Sequence, residues 1–159
     1  IELADGNEVV GFVRIPMDGV SADTGGETSA EMNERNLCLL TITENGYGKR
    51  TPVDEYRVQA EDGTTRSQSR GGKGRKDIDT GSRNGRAVAA LAVCDGDDVA
   101  VMTREGQLVR MPSAAIRQTG RGAQGVRVVR LNEGDQVVSA TRVVEAEDEA
   151  DVEGEAASS

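Results

Sequence analysis

Short alternations of apolar and polar residues run from about residue 37 to residue 143, and helical 3.6-residue spacing is sustained nowhere. A period of two marks a half-buried strand. In the last third it predicts four strands, over 99–103, 108–112, 126–131 and 137–143. Glu-Gly and Asn-Glu-Gly turns separate the pairs, as hairpins require.

The same pattern occurs earlier. The run from Thr43 to Arg50 (Thr-Glu-Asn-Gly-Tyr-Gly-Lys-Arg) matches Thr103 to Arg110 at Thr, Gly and Arg, sixty positions on. Arg70-Gly-Gly-Lys-Gly74 and Arg121-Gly-Ala-Gln-Gly125 agree in Arg, Gly and Gly at an offset of 51, because 60–69 carries extra loop residues. Strand-like runs follow each turn, at 75–80 and 87–93 in the first copy and at 126–131 and 136–143 in the second. A third copy of the closing pieces stands at 1–3 and 8–15.

Self-similarity at about 50 residues implies stacked or radial units. Four short strands per unit is the arithmetic of a propeller blade. The fold class expected is therefore all-β and propeller-like, with a plain β-sandwich as the alternative. The chain divides into the end of a partial blade (1–15), an acidic loop insertion (16–36), a blade (37–93), a second blade (94–143) and an acidic tail (144–159). The first copy lacks its opening half and residue 1 is Ile, so the chain is expected to be a C-terminal piece of a longer protein.

Charge sharpens the division. The net charge is -9, yet residues 37–143 hold 13 acids and 17 bases, while 144–159 hold seven acids and no base. Like-charge blocks repel themselves, so the tail is expected to stay unfolded. The stretch 17–36 offers almost nothing to bury and reads as a long exposed loop. Sixteen of the 19 bases are Arg, and the apolar residues are mainly Val and Ala. Excess acid with few Lys fits proteins of salt-loving organisms such as halophilic archaea, whose acidic surfaces hold water when salt screens other charges.

Composition also removes chemistry. There is no His, which excludes Ser-His-Asp and Cys-His nucleophile systems. Cys38 and Cys94 stand alone among apolar neighbours and read as small buried hydrophobes. No apolar run is long enough for a membrane-spanning helix. Gly120 to Gly125 matches G-x-G-x-x-G, but a β-type run follows where a dinucleotide site needs a helix. Arg70 to Gly74 is no Walker loop, since Lys73 is followed by Gly.

Taken in order, Thr43 to Thr51, Glu55-Tyr-Arg57, Arg70 to Gly74 and Gly120-Arg-Gly-Ala-Gln-Gly-Val126 resemble the last blades of the C-terminal domain of DNA gyrase A subunits. The resemblance runs from residue 1 to about 143, and an acidic tail is also typical of that family. It implies a six-bladed β-pinwheel that wraps double-stranded DNA around its rim. It further implies a cytoplasmic type II topoisomerase, an A2B2 heterotetramer with the gyrase B subunit, which introduces negative supercoils using ATP and Mg2+ held by other domains. The family's cleavage tyrosine belongs to an N-terminal domain, and neither Tyr47 nor Tyr56 lies in its motif. No strand cleavage or ATP hydrolysis by this chain alone is expected, and no cofactor in it. The hallmark box of the family's first blade has Arg where this chain has Ser69. The run 68–74 is therefore taken as the repeat's later-blade version.

The residues support DNA binding on their own terms. Duplex affinity comes from arrayed cations, and bending requires contacts repeated along an arc with no base code. Basic turns on successive blades supply such an arc. The candidate contacts are Lys49, Arg50, Arg70, Lys73, Arg75, Lys76, Arg110, Arg117 and Arg121, with Gly71, Gly72 and Gly74 letting backbone N–H groups approach a phosphate. Two other readings stay open: a propeller scaffold that binds protein, its Arg residues paired with its own acids, and the equivalent domain of topoisomerase IV.

Overall fold

In the computed structural model, the described residues are 3–14, 36–63, 65, 66, 68, 71 and 74–143. The acidic tail and nearly all of the 16–36 insertion lie outside them. Nine strands are described: β1 (Cys38–Thr43), β2 (Tyr47–Pro52), β3 (Val58–Gln59), β4 (Thr65–Arg66), β5 (Ala87–Val93), β6 (Asp98–Thr103), β7 (Leu108–Pro112), β8 (Val126–Arg127) and β9 (Val137–Val143). Two short 3₁₀ helices, Val53–Tyr56 and Ser113–Ala115, follow β2 and β7, and no α-helix occurs among the described residues.

One sheet has the order β5-β1-β2-β8 and the other β7-β6-β9, every pairing antiparallel. The two units repeat down to their irregularities. Each has a bulge just before a buried threonine, between Ile42 and Thr43 and between Met102 and Thr103. In both units that hydroxyl then closes the hairpin. Thr43 Oγ1 donates to the Tyr47 carbonyl at 3.0 Å, and Thr103 Oγ1 accepts from the Gln107 N–H at 3.2 Å.

Alternation explains the core. Cys38, Leu40 and Ile42 of β1, Ala89 and Val93 of β5, Val99 and Val101 of β6, and Val137 of β9 point inward into one apolar cluster shared by both sheets. Cys38 and Cys94 are fully buried, as their apolar flanks predict.

The units are not self-contained. The run 126–131 forms a strand only at β8, and β8 leaves its own unit to pair with β2 of the preceding one, Tyr47 facing Arg127 and Gly48 facing Val126. Its counterpart at 75–80, predicted as a strand, has no ladder partner and is not one. The same holds for 8–14, which is mostly exposed, with Phe12 97% exposed. Alternation makes a strand only where another strand offers ladder bonds. Conversely, the extra residues at 60–69 include β4, which pairs with β3 in a small ribbon.

The crossing of β8 is close. A Cβ on Gly125 would lie 2.7 Å from the Gly48 carbonyl oxygen, and Gly125 has φ +82°, a conformation that favours glycine.

Candidate nucleic-acid interface

The turns of consecutive units meet at β2. The Lys49 side chain is wholly buried, and its ammonium spends its three donors on the carbonyls of Asp77 (2.9 Å), Gly120 (3.1 Å) and Arg121. Asp77 Oδ1 is 3.5 Å away, and the same carboxylate accepts hydrogen bonds from Thr41 and Tyr56. Burial and the Asp77 carboxylate push the Tyr56 phenol well above its ordinary value. Arg50 is also interior. Its Nε donates to the Ile116 carbonyl at 2.8 Å and its Nη1 pairs with Asp95 at 2.5 Å. Hydrogen bonds from Arg50 and then Asn36 hold the Asp95 carboxyl below its usual value.

Two expected contacts are thereby corrected. Lys49 and Arg50 have no charge at the surface to offer a phosphate, because the segments that pack over β2 come from residues far along the chain. Lys49 instead fastens the stretch ending in Asp77 and the turn at Gly120 to the same strand.

The other candidates divide differently. Arg75, Lys76 and Arg117 are exposed and Arg121 is half-buried. None of these four forms an ion pair with a described residue. Arg121 Nη1 donates to the Lys76 carbonyl at 3.3 Å, which joins the two basic turns. Arg75 and Arg121 line an open groove of about 570 Å³ beside Arg57, together with Asp54 and Glu55. Arg110 is exposed but paired with Asp98 at 2.6 Å. Gly71 and Gly74 are exposed with φ +81° and +77°, a turn conformation that favours glycine. Arg70, Gly72 and Lys73 lie outside the described residues.

One cluster was not legible in the repeat. Arg83 and Arg127 both lie over the Tyr47 ring, 4.3 Å and 5.4 Å from its centroid, and Arg127 donates to the phenol oxygen at 2.9 Å. That bond first, then the charge of both guanidiniums, lowers the phenol's pKa from its ordinary value. The only signal in the sequence is the Tyr within the Thr43 to Arg50 run, at whose place the second unit has Gln107.

Two sheets built from about 50-residue units, with a strand exchanged between them and basic turns brought together, define a propeller-type β protein of the pinwheel kind. The chain belongs to the family described as DNA gyrase C-terminal domain, beta-propeller, whose model matches residues 39–63, 66–94 and 97–143. It is 42% identical over 144 residues to the DNA gyrase A subunit of Neisseria gonorrhoeae, covering 89% of this chain and 14% of that protein. It is 39% identical over 155 residues to the DNA gyrase A subunit of Staphylococcus aureus (strain MRSA252), covering 98% and 14%. The chain thus spans about one seventh of the length of these relatives. In fold it is similar to a solved DNA gyrase A C-terminal domain, with TM-score 0.59, 24% identity, and coverage of 71% of this chain and 35% of that one. A solved C-terminal domain of DNA topoisomerase IV follows at TM-score 0.55 and 21% identity, covering 69% and 31%.

Proposed function

We propose that this chain is a DNA-wrapping part of a gyrase A subunit, binding double-stranded DNA through the phosphate backbone. The observation that carries the reading is the set of cations on joined turns of consecutive units. Arg75, Lys76, Arg117 and Arg121 have no carboxylate partner among the described residues. A scaffold that used its arginines for its own ion pairs would resemble Arg50 with Asp95 and Arg110 with Asp98 throughout. The family supports gyrase over topoisomerase IV, since the relatives named as gyrase A subunits reach 42% identity whereas the topoisomerase IV domain is alike in fold alone.

In this reading the whole protein is the ATP-driven, supercoiling type II topoisomerase. It pairs with the gyrase B subunit in an A2B2 assembly and works in the cytoplasm. No described helix is long and apolar enough to cross a membrane. ATP, Mg2+ and the cleavage tyrosine belong to other domains, and this chain supplies cations and shape only. A curved array of cations lowers the cost of bending the duplex by adding contacts as the bend grows. Binding is then tolerant of sequence and steep in salt. Retention of the 159-residue chain on DNA-cellulose across a salt gradient is the test. Retention at low salt, with release as salt rises that is alike for every duplex sequence, supports the reading. Failure to be retained at low salt overturns it.

A further inference from the structure

We infer that Arg83, Tyr47 and Arg127 form a separate seat for a phosphodiester of the DNA backbone, resting on the DNA-binding reading above. Arg127 sits directly across the β2–β8 ladder from Tyr47. Arg83 reaches the same ring from the turn 81–85. That turn is fixed by two side-chain amides. Asn84 Nδ2 donates to the Asp79 and Gln124 carbonyls at 2.7 and 2.8 Å, and Asn45 Nδ2 to the Ser82 and Arg83 carbonyls at 3.3 and 3.1 Å. The seat is therefore assembled from both units and held from beneath.

Two guanidiniums on one ring repel each other, and neither has a carboxylate partner among the described residues. Arg83 spends Nη1 and Nη2 on long bonds to the Gln124 side chain (3.3 Å) and the Gly125 carbonyl (3.4 Å), and Arg127 spends one donor on the phenol. Most of their ten N–H donors remain free, and the guanidinium fork matches phosphate oxygens. The same two guanidiniums hold the phenol's pKa below its ordinary value, as a positive potential at this point requires. A purely structural clamp of β8 onto β2 needs only one of the two arginines. The side chains lie next to the turn that carries Arg121, so a backbone passing Arg75, Lys76 and Arg121 has a further anchor here.

Tyr47 makes the seat observable, because Tyr56, the only other tyrosine, is half-buried, hydrogen-bonded to Asp77, and ionises far higher. Phenolate absorbance of the full chain, followed against pH, therefore reports Tyr47. A phosphate seated between the guanidiniums cancels their field, so bound duplex is expected to raise the Tyr47 midpoint. Inorganic phosphate at the same phosphate concentration is expected to leave it unchanged. In parallel, R83Q/R127Q should still bind duplex, with the slope of log affinity against log salt flattened by about 2. A duplex that binds but leaves the Tyr47 midpoint unmoved overturns the seat and spares the DNA reading. An equal shift with inorganic phosphate makes it a small-anion site and overturns the assignment to duplex. No duplex binding by the wild-type chain overturns both.

Discussion

The Lys49 ammonium lies 3.5 Å from Asp77 Oδ1, with no solvent exposure of the lysine side chain. A motif that reads as an exposed basic turn is in fact a buried tie between turns of two units. Removing one member of a buried pair leaves the other uncompensated. Lys49→Met is therefore expected to cost about 3 kcal/mol of folding stability, measured by urea unfolding. Under conditions where the variant is folded, its salt slope for duplex binding should equal that of wild type, since Lys49 touches no phosphate. A flattened slope would return Lys49 to the interface.

Asp95 gives a pH dependence with a definite sign. Its carboxyl is held below the ordinary 3.8 by Arg50 and Asn36. A carboxyl lowered in the folded state contributes stability above its unfolded value, and that contribution fades as pH falls through the folded one. Asp95→Asn should melt lower than wild type at pH 7. The gap should close as pH falls below about 4. A gap that persists under acid would assign the stabilisation to packing instead.

Arg75 and Lys76 are exposed and have no ion-pair partner among the described residues, so their charges are available to DNA. Changing both to Gln should weaken binding to every duplex alike and flatten the salt slope by about 2. Melting temperature should stay near that of wild type, because neither side chain is buried. Loss of one sequence with retention of others would point to base readout.

The tail lies outside the described residues; its seven acids follow in sequence on residues 37–143, which hold 13 acids and 17 bases. A segment covalently attached to the DNA-binding body competes intramolecularly, at an effective concentration near millimolar. Deleting 145–159 is expected to tighten duplex binding at low salt, with the gain shrinking as salt rises. Titration of both chains at two salt concentrations decides it. Equal affinities at the lower salt would leave the tail as a solubilising end.

The fold was legible wherever information is local. Alternation predicts strands at 87–93, 99–103 and 137–143, which face the core, and the recurrence of Thr43 at Thr103 marks matching hairpins. What stayed hidden depends on partners far along the chain. The burial of Lys49 needs carbonyls 28 and 72 residues away. Val126–Arg127 alternates like any strand, but nothing in it says that its partner is β2 of the preceding unit. Arg83 stands in a polar turn that repeats nowhere, so only the tyrosine in place of Gln107 signalled its meeting with Tyr47.

The exchange of β8 also sets a timetable. As the chain is synthesised, β1 and β2 are complete at Pro52, yet the strand that covers the edge of β2 does not arrive until Val126. At about 5–20 residues per second that edge waits several seconds. Throughout the interval Tyr47 and Gly48 present open ladder groups to any other nascent chain. On a crowded polysome the first unit is exposed to mispairing between neighbours until Val126 and Arg127 of its successor have been made.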